Sequence, residues 1–137
     1  MPVTSFVPRI VAFCCDKSAY VAADRAGRLG SSLPTSLEII RVPCAGRVDV
    51  IHVLQAIEQG ADGVLVFACH EDNCHSLTGN RIVQARIDRV HRLMEDIGLE
   101  RERLELRHVA STNGAKFAQI VERKFQELET LGPSPVR

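Results

Sequence analysis

The chain has 137 residues, 45% of them apolar, which is enough for one domain with a real core and too few for two of ordinary size. Its 17 Lys and Arg are matched by 17 Asp and Glu, so bulk charge recommends neither nucleic acid nor an anionic membrane surface as a partner. With no Trp and one Tyr there is also little to stack on bases.

No charged-then-apolar leader is apparent, and the apolar runs are strand length, well below the roughly 20 residues of a membrane helix. A single cytoplasmic domain over residues 1–137, without membrane insertion, is therefore expected. Residues 1–7 read as a short lead-in. Arg9 to Cys15 (RIVAFCC) is a nearly continuous apolar run, the pattern of a strand buried on both faces of a parallel sheet. Asp16 and Ser18 are helix N-cap types, and Ala19, Ala22, Ala23 and Ala26 then recur at helical spacing, giving a face of small residues that can lie close to a sheet.

Gly27, Gly30 and Pro34 punctuate a loop, and Leu37 to Pro43 reads as a second strand that delivers Cys44. Val50, Val53, Leu54 and Ile57 mark the next helix, with Gly60 placed to end it. A third apolar run, Val64 to Phe67, leads directly into Cys69. The helix that follows is predicted from about Asn80 to Ile97, with Val83, Ile87, Val90, Met94 and Ile97 on one face and Arg81, Arg86, Arg89 and Arg92 largely on another. Leu104 to Ala110 alternates apolar and polar as an edge strand, or a strand with one wetter face, would. A last helix capped within the STNG stretch carries Phe117, Ile120, Val121, Phe125 and Leu128, and residues 132–137 form a proline-marked tail expected to fray.

Four strands, each followed by a helix through a short connection, imply an α/β domain of three αβα layers. The expected sheet has four mostly parallel strands in a flavodoxin-like or Rossmann-like arrangement, with the order 2-1-3-4. Parallel strands present their C-terminal ends on one edge. Cys14 and Cys15, Cys44, and Cys69 close the first three strands, and Cys74 lies in the loop after the third, so all five cysteines are drawn to one rim of strands about 4.8 Å apart.

A lone cysteine is usually a small buried hydrophobe, but five at strand ends suggest a metal centre. Side chains of adjacent strand residues diverge, so Cys14 and Cys15 are not expected both to ligate one metal. Four thiolates from five suit a [2Fe–2S] cluster or a zinc ion. His70 and His75 are candidates for mixed ligation or for hydrogen bonds to cluster sulfurs, Asp72 and Asn73 for shaping the turn, and Asn80 for capping the following helix. A thiol nucleophile at Cys69 or Cys14 would account for one cysteine and leave four unexplained. Neither a GxxxxGK[ST] loop nor a GxGxxG after the first strand is present, so the sheet has no phosphate cradle of those kinds.

Several segments together carry a family resemblance: IVAFCC, the A-x-x-A-A-D-x-A-G pattern of Ala19 to Gly27, IIRVPCAGRVD (Ile39 to Asp49), and Gly60 to Asn80 with its CHxxxCHxxxGN core, with a weaker echo in GAKF (Gly114 to Phe117). They resemble the delta subunit of methyl-viologen-reducing hydrogenase, an iron–sulfur subunit associated with heterodisulfide reductase. The resemblance implies one [2Fe–2S] cluster with ligands drawn from Cys14, Cys15, Cys44, Cys69 and Cys74. It also implies a relay of electrons between a hydrogenase or formate dehydrogenase and a flavin-containing partner of the heterodisulfide-reductase kind. The alternative is a zinc-binding or cluster-less adaptor on the same rim. The chain departs from the family pattern at Lys17, Ser18 and Ser76, where an aromatic, a cysteine and an aromatic are common, and serine is a poor substitute for a thiolate on iron.

Overall fold

The computed structural model describes residues 6–16, 19–28, 33–68 and 79–136. Strands β1 (Ile10–Cys15), β2 (Leu37–Val42), β3 (Gly63–Ala68) and β4 (Leu104–His108) alternate with helices α1 (Ala19–Arg28), α2 (Val50–Glu58), α3 (Gly79–Asp96) and α4 (Gly114–Leu131). The strands form one sheet in the order β2-β1-β3-β4, as the alternation predicts. Every pairing is parallel: Cys14 lies opposite Arg41 of β2 and Phe67 of β3, and Ala68 lies opposite His108 of β4.

Burial follows strand position. All six residues of β1 and of β3 are buried, which is why both read as unbroken apolar runs, whereas the residues of the outer strand β2 are half-buried except for Glu38 and Arg41, which are exposed. Side-chain alternation then divides the core in two. Val11, Phe13, Val64 and Val66 pack with Val53 and Ile57 of α2 and with Val83, Ile87, Val90 and Met94 of α3. Ile10, Ala12, Leu65 and Phe67 pack on the other side with the alanines of α1 and with Phe117, Ile120, Val121 and Leu128 of α4. There the Phe67 and Phe117 rings lie 4.7 Å apart, centroid to centroid.

Helix ends are set by identifiable caps. Asp49 and His52 form a reciprocal capping box at the start of α2, and Gly60, with φ +103°, turns the chain after its end. The Asn113 side chain caps α4 by accepting from the Lys116 N–H at 3.0 Å. α3 closes with a Schellman motif: the Leu99 N–H donates to the Met94 carbonyl, the Gly98 N–H donates to the Glu95 carbonyl, and Gly98 has φ +78°.

That motif changes one expectation. Ile97, which periodicity assigns to the buried face, is 69% exposed, because the helix stops at Asp96 and the chain reverses to bury Leu99 instead. Two boundaries also move. α3 begins at Gly79, so Asn80 is inside the first turn and is not its cap. α1 runs through Gly27 to Arg28, so Gly27 is helical; no atom lies within 4 Å of where its Cβ would be. Ser18, a candidate cap, lies outside the described residues.

The N-terminal edge of the sheet is closed by buried polar groups. Asp62, fully buried, accepts from the Arg9 N–H and the Ser134 N–H, both at 2.9 Å. Arg103, 2% exposed, donates to the carbonyls of Asp62 and Gly132 and to the Glu100 carboxylate. Lys124 binds the Glu102 carbonyl and pairs with Glu105 and Glu127. The stretch after Gly132, expected to fray, is thus engaged by both Arg103 and Asp62.

Two outcomes follow from this packing. A Cβ on Gly114 would lie 2.8 Å from the Ala26 backbone nitrogen where α4 crosses α1, so Gly114→Ala is expected to destabilise the chain by about 1–3 kcal/mol, read as a lowered thermal midpoint; an unchanged midpoint would contradict this close approach. The second concerns acid. Burial of Glu105 opposes its ionisation, but hydrogen bonds from Lys124 and Arg107 outweigh this and hold its carboxyl below the ordinary value of 4.5. A lowered folded value stabilises the fold above the unfolded value and is lost as pH falls through the folded one. The melting temperature should therefore fall on acidification below about pH 4.5, and Glu105→Gln should make that fall shallower; equal acid slopes for the two proteins would refute it.

Candidate metal centre

The C-terminal edge of the sheet receives the thiols of the described residues, Cys14, Cys15 and Cys44. Cys14 and Cys15 are the last residues of β1, held between β2 and β3. The Asp16 N–H donates to the Val42 carbonyl at 2.7 Å, so the ladder continues to the point where β2 turns toward Cys44. The described chain leaves β3 at Ala68 on this same edge. Cys69, His70, Asp72, Asn73, Cys74, His75 and Ser76 lie outside the described residues, as does Lys17.

Cys14 and Cys15 are buried, at 0% and 2% exposure. Both belong to the cluster beneath α1 and α4. Burial pushes the Cys14 thiol up to about 12, and Cys15 beside it adds to the shift. The thiol donates weakly to the Ala12 carbonyl at 3.9 Å. In this apolar setting Cys14 is neutral and unreactive; a soft cation is what would make it a thiolate.

Cys44 is built differently. It is half-buried and in extended conformation (φ −157°, ψ 145°), and it caps a short 3₁₀ turn over Ala45–Arg47. Its Sγ accepts from the Gly46 N–H at 3.4 Å. Ala45 and Val48 anchor the turn in the core, each 2% exposed. From α3, Arg86 Nη1 donates to the carbonyls of Gly46 and Val48 at 2.6 and 2.9 Å, and its Nε lies 3.9 Å from the Asp49 carboxylate. On the adjoining surface the Arg41 guanidinium pairs with Asp16 and lies 4.8 Å over the Tyr20 ring. The sequence pattern places Arg86 with the solvent-facing arginines of its helix, and no sequence signal marks Arg41 with Asp16.

The described part of the expected donor set is therefore all sulfur on one edge, a chemistry that selects iron–sulfur clusters or zinc over hard cations. Among the described residues no group of three or more His, Cys, Asp or Glu side chains is close enough together to hold a metal ion. Of the five cysteines expected to supply ligands, Cys14, Cys15 and Cys44 are described, the first two at the end of β1 and the third just past β2.

A sequence model of the methyl-viologen-reducing hydrogenase delta subunit matches residues 10–132, from the start of β1 to just past α4. The chain belongs to this family. The iron–sulfur subunit of the F420-non-reducing hydrogenase of Archaeoglobus profundus is 38% identical over 126 residues, which are 92% of each chain. The iron–sulfur subunit of the vhu F420-non-reducing hydrogenase of Methanopyrus kandleri is 37% identical over 124 residues, covering 90% of this chain and 94% of that one. A relative of another kind is a subunit of the ferredoxin/F(420)H(2)-dependent CoB-CoM heterodisulfide reductase of Methanosarcina acetivorans. It is 37% identical over 92% of this chain, but the match occupies only 16% of that longer protein. As a delta-subunit family member, the chain is thus similar both to separate hydrogenase subunits and to one segment of a reductase polypeptide. Among its described residues no helix is long and apolar enough to cross a membrane.

The burial differences predict an order of thiol reactivity. A brief pulse of a small alkylating reagent on the native metal-free chain should modify Cys44 and leave Cys14 and Cys15 unmodified, and all should react in denaturant. Peptide mass mapping reads this directly, and early labelling of Cys14 would refute its burial.

Proposed function

We propose that this chain is a cytoplasmic electron-transfer subunit that carries one [2Fe–2S] cluster at the C-terminal edge of its sheet. Four of Cys14, Cys15, Cys44, Cys69 and Cys74 are its ligands, and His70, His75 and Asn80 stand around them. In this reading the chain relays electrons between a hydrogenase or other dehydrogenase and a flavin-containing heterodisulfide-reductase-like subunit. The observation that supports the reading is the position of Cys14 and Cys15 at the end of β1 and of Cys44 just past the end of the parallel neighbour β2, in a chain whose relatives are named iron–sulfur subunits. The reductase partner is supported by the Methanosarcina relative, in which a segment like this chain is part of a reductase polypeptide. A domain joined covalently to a protein in one organism is a natural docking partner for the corresponding protein in another.

A [2Fe–2S] cluster supplies reversible one-electron storage, with a potential set by hydrogen bonds to its sulfurs and by solvent exposure. The chain's own residues divide that work. Cys14 and Cys15 cluster with the alanines of α1 and with Phe67 and Phe117, which keep water from their side of the centre. Cys44 stands on a half-exposed turn, where a partner's cofactor can approach, and the Gly46 N–H is aimed at its sulfur. Arg41, Asp16 and Tyr20 supply a polar and aromatic surface next to this opening.

Anaerobic purification or reconstitution should give a brown protein with about two irons and two sulfides per chain, bleached by dithionite, as a cluster of this type requires. Cys44→Ser should lower the iron content and the visible absorption while leaving the thermal midpoint of the metal-free chain nearly unchanged. A colourless wild-type protein containing stoichiometric zinc would replace the relay with a docking adaptor, and one that took up neither metal would end both readings.

A further inference from the structure

Arg86 has no role in any motif of the chain, and it lies in a helix otherwise lined with solvent-facing arginines. Its geometry is unlike theirs. Arg81, Arg89 and Arg92 are exposed, whereas the Arg86 side chain is 32% exposed and its Nη1 donates to two backbone carbonyls, Gly46 and Val48, on the turn that carries Cys44. Both carbonyls belong to a connection with little regular structure of its own. Within it the Gly46 N–H donates to Cys44 Sγ and the Val48 N–H donates to the Ala45 carbonyl. One guanidinium nitrogen therefore fixes both the residue whose N–H points at the sulfur and the residue that closes the 3₁₀ turn. The Asp49 carboxylate, 3.9 Å from Arg86 Nε, orients the guanidinium from the other end of the turn. Lysine has a single nitrogen on a flexible stem and lacks the planar fork that holds this geometry.

We propose that Arg86 is the positioning residue of the metal centre: by clamping the Gly46 and Val48 carbonyls it holds in place the Cys44 sulfur and the N–H donated to it. This rests on the iron–sulfur reading of the sheet edge. Arg86 touches no reacting atom. It acts through Cys44, and an N–H···S hydrogen bond held in place stabilises the reduced, more negative state of a cluster and raises its potential.

The test compares full-length wild-type, Arg86→Gln and Arg86→Lys proteins, each reconstituted with iron and sulfide. In the metal-free proteins, Arg86→Gln should speed hydrogen exchange at residues 45–48 and leave β1 and β3 protected as in wild type. In the loaded proteins it should shorten the time to bleaching by an iron chelator by roughly tenfold or more, the usual penalty for losing support of a ligand, and shift the midpoint potential downward. Arg86→Lys should retain the fold and fall between the two, which guards against a glutamine variant that simply folds poorly. An Arg86→Gln chain that holds iron as long as wild type at the same potential overturns this inference and leaves the iron–sulfur reading standing. A wild-type chain that takes up no iron overturns that reading, and with it the roles of Cys44 as a ligand and of Arg86 as its support.

Discussion

The parallel ladder that holds β1 between β2 and β3 is the constraint on which the rest depends. Because all three strands run the same way, their C-terminal ends must share an edge, and the register sets Cys14 opposite both Arg41 and Phe67. A shift of β1 by one residue would exchange its faces, turning Cys14 away from α1 and α4 and Phe13 toward them. The two-sided apolar core forbids that shift, so packing far from the thiols determines where they stand. Thiol placement is a consequence of sheet register, and only Cys44 among the described cysteines depends on a local device of its own.

That distinction explains what could be read from the chain alone. Strand order, parallel pairing and the buried faces were legible because β1 and β3 lie wholly inside and α1 to α4 carry clean helical periodicity; pattern and burial are the same information in those segments. The position of Cys14 and Cys15 was legible for the same reason, since both close a strand that is buried throughout. Reading failed where backbone chemistry overrides periodicity. Ile97 continues the apolar repeat of α3, but the Schellman turn at Gly98 substitutes Leu99 for it.

Charged residues were the least legible. Arg103 sits in the sequence RERLE and looks like part of a solvated loop, yet it is 2% exposed and binds two stretches of backbone. Lys124 interrupts the apolar face of α4 and is nearly as buried. Arg86 shares its helical stripe with arginines that face water. In each case one partner is a backbone carbonyl distant in sequence, and no local pattern announces such a partner. Carbonyls at a sheet edge or in an irregular turn need donors when buried, and long cations supply several at once.

Asp62 has a further consequence for how such a domain is used. Its carboxylate accepts one N–H from Arg9, just before β1, and another from Ser134, beyond α4. The chain therefore comes in and goes out at a single point, at the edge of the sheet opposite the thiols. A polypeptide joined near Arg9 or Ser134 would set out from the side of the sheet opposite Cys14 and Cys15, like a handle. The same domain can then serve as a free-standing protein or as a cassette within a much longer one with no change to its sheet.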